Sequence, residues 1–529
     1  MEKVYNVILN KGVDYNQFHQ DMINITNLDG IPNREVVSPN ERPGSQRQTW
    51  YSLTEDEVEL VKAHSSVLDV EQPPEYRDDI TIINNASQTG HFDRLPNASN
   101  DDLNWGLYRV TEVSQSWTSN GEDRTLYYTS DGSGVDVVIQ DSGVEPNHPE
   151  WEDVNGVSRY RSINWATVSG LSFTQHSNHD RDFDGHGTHV AGITAGKKYG
   201  HAKSAHIYSQ KISGLEGTGD ETTGISTSYA FDAIKLWHRN KAIDPKTGYK
   251  RPTVVNMSWG FGRSFPANAD IALNFRGNHT GSADANERAY GGVNSYKTGE
   301  SWLVNLRISS VDTDVDELID EGVHVCIAAG NRNLLMTNNT SNVNYNNWIS
   351  SSGVGQTYYQ RGSSPFSTDA YMVGSVGPYT TGSIDYRSNF TNHGDAVDIY
   401  SAGSNIMSAM STTHRSTFST GYYDSNNNYL RGTLQGTSMA SPQVAGVVAC
   451  YLQTNPGVSP LDLKKSILAD GHAQIDVLSN DSGSKLSSTV TTHTTEAKYL
   501  KNKFVSSTSS FDDPVTISNI SNINFSIKV

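Results

Sequence analysis

The sequence predicts an α/β fold, a mostly parallel sheet between two layers of helices, with a small α+β unit in front. Three observations predict it. Short β-rich apolar runs alternate with helical stretches through residues 104–475, the pattern of strands joined by crossover helices in a sheet covered on both faces. Asp141, Ser258 and Asn331 stand at or just past the ends of such runs, where sheets of this kind place their sites. A separate pattern of short strands and helices fills residues 1–80 and gives way to a polar connection over 81–103.

In the first unit, Val4-Tyr5-Asn6-Val7-Ile8-Leu9 reads as a strand, 14–26 as a helix and Thr49-Trp50-Tyr51-Ser52 as a second strand. Thr54-Glu55-Asp56-Glu57 has the spacing of a capping box, so a helix is expected from there through Val61. Val67-Leu68-Asp69-Val70-Glu71 closes the unit as a strand. In the body, strands are expected at 135–140, 206–212, 253–258, 323–329, 372–376 and 397–400, and helices at 186–196, 223–240, 311–321 and 438–452. Two polar, Gly- and Asn-rich segments, 261–301 and 332–369, interrupt this alternation. Residues 476–529, rich in Ser, Thr, Asn and Lys, read as a tail with short β-like runs at 514–518 and 523–527.

The formal charge of −18 argues against nucleic acid as a partner, and no apolar run is long enough to span a membrane. Cys326 and Cys450 sit inside apolar runs and read as core residues rather than as a disulfide. The start, Met1-Glu2-Lys3, lacks the apolar stretch of a secretory signal. An intracellular, virion-associated or unconventionally exported protein is compatible with it.

Three motifs carry the chemistry. Asp141-Ser142-Gly143 ends the run Val135–Ile139. His186-Gly187-Thr188-His189-Val190-Ala191-Gly192 opens one expected helix, and Gly436-Thr437-Ser438-Met439-Ala440-Ser441-Pro442 opens another. A serine hydroxyl is a poor nucleophile at neutral pH. A histidine can take its proton, and a carboxylate can fix the imidazole tautomer and stabilise its charged form. A serine at a helix start also has backbone N–H groups and the positive end of the dipole beside any anion formed there. Pro442 is expected in the first turn, where proline is tolerated. His186 and His189 have no glutamate between them and no third ligand in view, so zinc is not expected.

These motifs, in the order Asp, His, Ser and with Ala328-Ala329-Gly330-Asn331 between the last two, closely resemble those of the subtilase family of subtilisin-like serine proteases. The direct passage from the His186 helix to Tyr199-Gly200 is most similar to the proteinase K-like branch. The resemblance implies a three-layer subtilisin-like fold and a triad of Asp141, His186 and Ser438. It implies an oxyanion hole from the Asn331 side-chain amide and the Ser438 N–H. Substrate would bind along Ser258-Trp259-Gly260, the segment starting at Gly214, and Ala328-Ala329-Gly330. It gives His189 a structural role and needs no cofactor for the chemistry. Residues 1–80 resemble the family's inhibitory propeptide, the chain's own intramolecular inhibitor, with maturation cleavage in 81–103.

Asp180, Asp182 and Asp184 cluster where related enzymes often bind calcium, so a structural calcium is a candidate there. Gln443 stands where a histidine is common, and Trp259 is bulky for a position beside the primary specificity pocket. Two functions are weighed. One is a serine endopeptidase hydrolysing peptide bonds of polypeptides through an acyl-enzyme on Ser438, made as a self-processing zymogen. The alternative is a structural or binding component of an assembly that retains the fold and cleaves only itself. The intact triad favours the first.

Overall fold

The computed structural model describes residues 2–84, 87–88, 104–111, 126–213, 224–266, 269–284, 288, 293, 297–298, 301–351, 354–381, 384–415, 418, 420–472, 475–476 and 498–506. The first element group is a three-stranded antiparallel sheet in which β1 (Lys3–Leu9) lies between β2 (Gln48–Leu53) and β3 (Val67–Glu71). Two helices, α1 (Tyr15–Ile23) and α2 (Glu55–Lys62), accompany it. Asp14 caps α1 through the Gln17 N–H and Asn24 ends it, so the helix is shorter than 14–26. The capping box at α2 is formed, with the Thr54 N–H donating to Glu57 at 2.8 Å. Val7, Phe18, Met22, Tyr51, Leu53 and Val61 close a core separate from that of the body.

The chain then runs as β4 (Ile80–Asn84) and β5 (Ser87–Gln88) before entering the body. There, β6 (Asp136–Asp141), α3 (His186–Ala195), β7 (His206–Lys211), α4 (Thr227–Arg239) and β8 (Thr253–Met257) follow in order. Next come β9 (Trp259–Pro266), β10 (Ser301–Asn305), α5 (Ser309–Asp320), β11 (His324–Ala328), β12 (Tyr371–Thr381) and β13 (Ile399–Ala402). The last labelled elements are β14 (Leu430–Gln435) and α6 (Thr437–Thr454). Strands β7-β6-β8-β11-β12-β13 pair in parallel in that spatial order. Every residue of β6 and β8 is buried, as in strands covered on both faces. Helices α3 and α6 pack on each other, as do α4 and α5.

Described residues of the two interrupting segments pack around a core of their own. Strand β9 pairs antiparallel with β10 on one edge and with β4 on the other. A second antiparallel sheet contains Ala272–Phe275, Trp348–Ser351 and Val354–Thr357. Phe265, Leu273, Phe275, Val304, Ile349 and Tyr359 pack together between them. The tail reading needs correction at one place. Tyr499, Leu500 and Phe504 are buried in the main core, and Val505–Ser506 pairs with Tyr127–Tyr128. Isolated apolar residues in a polar stretch give no periodicity to read, so this anchor was missed. The runs at 514–518 and 523–527 lie outside the described residues.

The N-terminal unit docks on α4 and α5 through charge. Neither helix has a capping side chain of its own. Glu71 accepts the Ser310 N–H at 2.8 Å and Asp69 accepts the Ser309 hydroxyl at 2.9 Å. Glu75 accepts both the N–H and the hydroxyl of Ser228. Carboxylates placed there satisfy orphan N–H groups and meet the positive ends of two helix dipoles. Beside them, the buried Arg42 donates to Asp232 through Nε (2.9 Å) and Nη2 (3.1 Å) and to Asp314 through Nη2 (2.7 Å). Lys235 bonds Asp314 and Glu317 from the other side, at 3.0 and 2.7 Å. Glu317 also accepts the Ser45 hydroxyl, and Gln48 donates to the Ser310 carbonyl.

Candidate active site

Strand β6 ends at Asp141, whose Oδ1 accepts the Ser142 N–H at 2.7 Å and lies 2.7 Å from His186 Nδ1. Both side chains are buried. The helix that carries His186 is fixed from below by Asp182. Asp182 Oδ1 accepts from the Ser142 hydroxyl (2.9 Å) and the Gly185 N–H (2.8 Å), and Oδ2 from the Thr188 N–H (2.8 Å) and hydroxyl (2.6 Å). A Cβ at residue 187 would fall 2.1 Å from the Gly143 carbonyl oxygen, so glycine there lets α3 approach the Asp141 turn.

Burial disfavours the imidazolium of His186. The charge and hydrogen bond of Asp141, with the charges of Asp184 and Asp182, outweigh burial and lift the ring to about 9. His189 behaves oppositely. Burial lowers it to about 3, and its Nε2–H is shared between the carbonyls of Ile406 and Gly432, each at 3.0 Å. It ties α3 to the strands beside it.

Ser438 is the second residue of α6 and is buried. Gly436 before it has φ 154° and ψ 164°, a region essentially reserved for glycine. The Ser438 hydroxyl donates to the Ser258 carbonyl at 3.2 Å, while the Ser258 hydroxyl donates to the Ser438 carbonyl at 3.0 Å. The second bond corrects the expectation for Pro442. The helix starts at Thr437, so Pro442 lies past the first turn and lacks the N–H that would bond the Ser438 carbonyl. Ser258 supplies the missing donor. His186 Nε2 is buried and has no partner among the described residues, so the bond between Ser438 and His186 is not made in this conformation. Such contacts are often loose until substrate is bound.

Asn331 Oδ1 accepts the N–H and the hydroxyl of Thr437, each at 2.8 Å, and Thr437 Oγ1 accepts the Gly330 N–H at 3.0 Å. With its oxygen so engaged, the Asn331 amide keeps Nδ2 as its donating end. Ala328 ends β11. Ala329 donates to the Val373 carbonyl at 2.9 Å, and its own carbonyl accepts from Asn392 Nδ2 at 2.8 Å. Gly214 lies outside the described residues. Trp259 pairs through its backbone with Asn84, while its buried indole packs near Phe231 and Phe261. Gln443 is buried in a reciprocal amide pair with Asn104 and meets His201 Nε2 at 2.8 Å.

Two positioning residues escaped the sequence reading. Asn256 donates to Ser258 Oγ and accepts the Ser441 hydroxyl, each at 2.8 Å. Its only signal is a lone amide in the apolar run of β8. Thr437 is the other, holding Asn331 Oδ1 through its N–H and hydroxyl.

The calcium expectation is corrected as well. Asp182 is saturated by four protein donors, and Asp180 accepts the hydroxyls of Tyr160 and Ser162 at 2.8 and 2.5 Å. Asp184 sits near His186, its carboxyl pushed by burial up to about 6. Among the described residues no three His, Cys, Asp or Glu side chains converge on a point that could hold a metal. These three aspartates do not fit a calcium site. Cys326 and Cys450 are free and buried, as core residues should be.

The chain's own residues run past this centre. Asn84 back to Ile80 pair antiparallel with Trp259 to Arg263, and Ser87–Gln88 with Gln435–Leu434, just ahead of Ser438.

The subtilase family profile matches residues 132–495. The subtilisin-like serine protease pepC of Aspergillus niger is 26% identical over 428 residues, covering 78% of this chain and 58% of that protein. Cerevisin of Saccharomyces cerevisiae is 28% identical over 379 residues, covering 69% and 43%. The chain thus spans about half the length of these curated relatives. Among solved structures, fervidolysin from Fervidobacterium pennivorans, described as a keratinolytic enzyme related to subtilisin, superposes with a TM-score of 0.50. The superposition has 18% identity and covers 95% of this chain and 60% of that one, a likeness of fold. With its parallel sheet, its buried Asp141–His186 pair and a family profile matching most of its length, the chain belongs to the subtilase family.

Proposed function

We propose that the chain is a serine endopeptidase made as a self-processing zymogen. The observation that carries this reading is the lie of its own residues 80–84 and 87–88. They add a strand to the β9 edge on one side of Ser438 and to β14 on the other. An extended polypeptide bound by strand addition would follow the same path. The Ser438 oxygen would attack the carbonyl carbon presented there while His186 Nε2 takes its proton and Asp141 stabilises the imidazolium. The resulting oxyanion would be met by Asn331 Nδ2 and the Ser438 N–H. Its collapse breaks the C–N bond, the amine leaving with the proton from His186. Water, deprotonated by His186, then releases the acyl group.

Residues before the cut act in this reading as an inhibitor, held by the carboxylate caps and by Arg42. Intact mass and N-terminal sequencing test it. Since Asn84 and Ser87 flank Ser438, the processed chain is expected to begin at residue 85, 86 or 87. A full-length product, or a start elsewhere, overturns it. Asn331→Ala is expected to lower kcat by about 10²–10³ with little change in KM, as for other oxyanion donors.

The histidine works as a base only when neutral. Its raised pKa therefore makes kcat/KM rise with pH up to about 9. Asp184→Asn removes a charge that favours the imidazolium, so the rising limb is expected to move to lower pH. An unmoved limb would show that His186 does not sense Asp184. The alternative, a scaffold that cleaves only itself, predicts a processed chain that leaves unfolded casein intact.

A further inference from the structure

We infer that the two insertions build an acid-selective subsite far upstream of the cleaved bond, in which the Arg263 guanidinium recognises an Asp or Glu side chain of a polypeptide substrate. This rests on the endopeptidase reading, with β4 lying as substrate would. Strand β9 is eight residues long, and the antiparallel ladder with the chain's own segment uses it from Trp259 to Arg263. The Ser264 N–H carries the ladder one step further, donating to the Asp79 carbonyl at 3.2 Å. At this end Arg263 Nε donates to Asp79 Oδ2 at 3.1 Å.

The guanidinium is set in place by both insertions. Its backbone belongs to the first. The second supplies the Thr357 hydroxyl to Nη1 at 3.0 Å, with the Gly355 and Gln356 carbonyls at 3.4 Å. The Arg263 side chain is 14% exposed, against 41% for Asp79. The arginine is the fixed partner and the carboxylate the visiting one. The Thr357 hydroxyl and the Gly355 and Gln356 carbonyls that hold it are neutral. Among the described residues, Asp79 brings the one carboxylate within salt-bridge distance of it. Asp79 is also held by Arg77, at 3.0 and 2.9 Å, but both belong to the segment that leaves after cleavage. Once the segment carrying Arg77 and Asp79 has left, Arg263 faces the extended cleft with no carboxylate in salt-bridge distance among the described residues, a position that an acidic side chain in the place of Asp79 can fill.

The test uses protein that has processed itself and been separated from its N-terminal unit. Peptides spanning residues 77–90 are prepared with Arg77 replaced by alanine and with Asp, Asn or Lys at position 79. Unfolded casein serves as a general substrate. For wild type, kcat/KM is expected to be about three- to fivefold higher for Asp than for Asn, and lower again for Lys. Arg263→Gln should level the series and Arg263→Glu should invert it, with casein turnover measured for each variant to show that it is an active enzyme. Equal rates for Asp and Asn in wild type overturn the inference, as does a preference that survives Arg263→Gln. If neither peptides nor casein are cut, the endopeptidase reading falls and this one with it. If casein alone is cut, only the subsite is refuted.

Discussion

Ser438→Ala is expected to stay at full length and to lose about 10⁶ in turnover on unfolded protein, the scale on which removal of a triad nucleophile acts. The fold should survive, because the Ser438 backbone makes the bond to Ser258 and alanine keeps that carbonyl. Intact mass of the wild type beside the variant reads the first effect, and casein digestion after separation of the N-terminal unit reads the second. A variant still cut at residues 85–87 would mean that another protease does the cutting. Wild type and variant equally long would favour a scaffold, or an enzyme that waits for a trigger. The substitution removes the hydroxyl and its bond to the Ser258 carbonyl and leaves the backbone in place, so loss of cleavage without loss of Tm isolates the chemistry.

Arg42→Ala is expected to free the N-terminal unit after cleavage. Arg42 is buried between Asp232 and Asp314, and its loss leaves these carboxylates with Lys235 as their remaining nearby cation. Breaking one partner out of a buried ionic group costs about 3–5 kcal/mol, equivalent to about 10²–10⁴-fold in affinity. In wild type the cut unit should co-elute with the body on size exclusion and hold the protease latent. In the variant it should elute apart, with activity appearing at once. Co-elution and latency equal to wild type would show that the carboxylate caps from Glu71, Asp69 and Glu75 suffice. The variant tests docking because the ion pairs it removes join Arg42 to Asp232 of α4 and Asp314 of α5, and an unchanged Tm of the N-terminal unit would show that its folding is kept.

Local patterns were legible in the sequence, while features made by distant parts of the chain were not. The capping box at Thr54–Glu57 and the strands of the parallel sheet depend on neighbouring residues and appear as expected. The Asp, His and Ser motifs could be found because each carries its own turn or helix start. Asn256 and the anchoring role of Thr437 were invisible because their partners lie far away in the chain. Pro442 misled for the same reason. A proline past the first turn argues against a helix until a hydroxyl from Ser258 answers the bare carbonyl. The carboxylates of 180–184 misled differently. Spacing can show that acids are near one another, but not that Asp182 is spent on capping the helix behind His186. The insertions gave no signal of a core because their apolar residues come from two segments and meet only in space.

The missing N–H of Pro442 has a mechanical consequence. In an ordinary helix the Ser438 carbonyl would be tethered one turn further along, and α6 could shift as a rod while keeping all its bonds. Here the tether crosses to Ser258, in the link between β8 and the strand on which an extended polypeptide would lie. Attacking oxygen and docking edge thus share one reference point. One hydrogen bond therefore joins the residue that carries the nucleophile to the segment that leads into the docking edge.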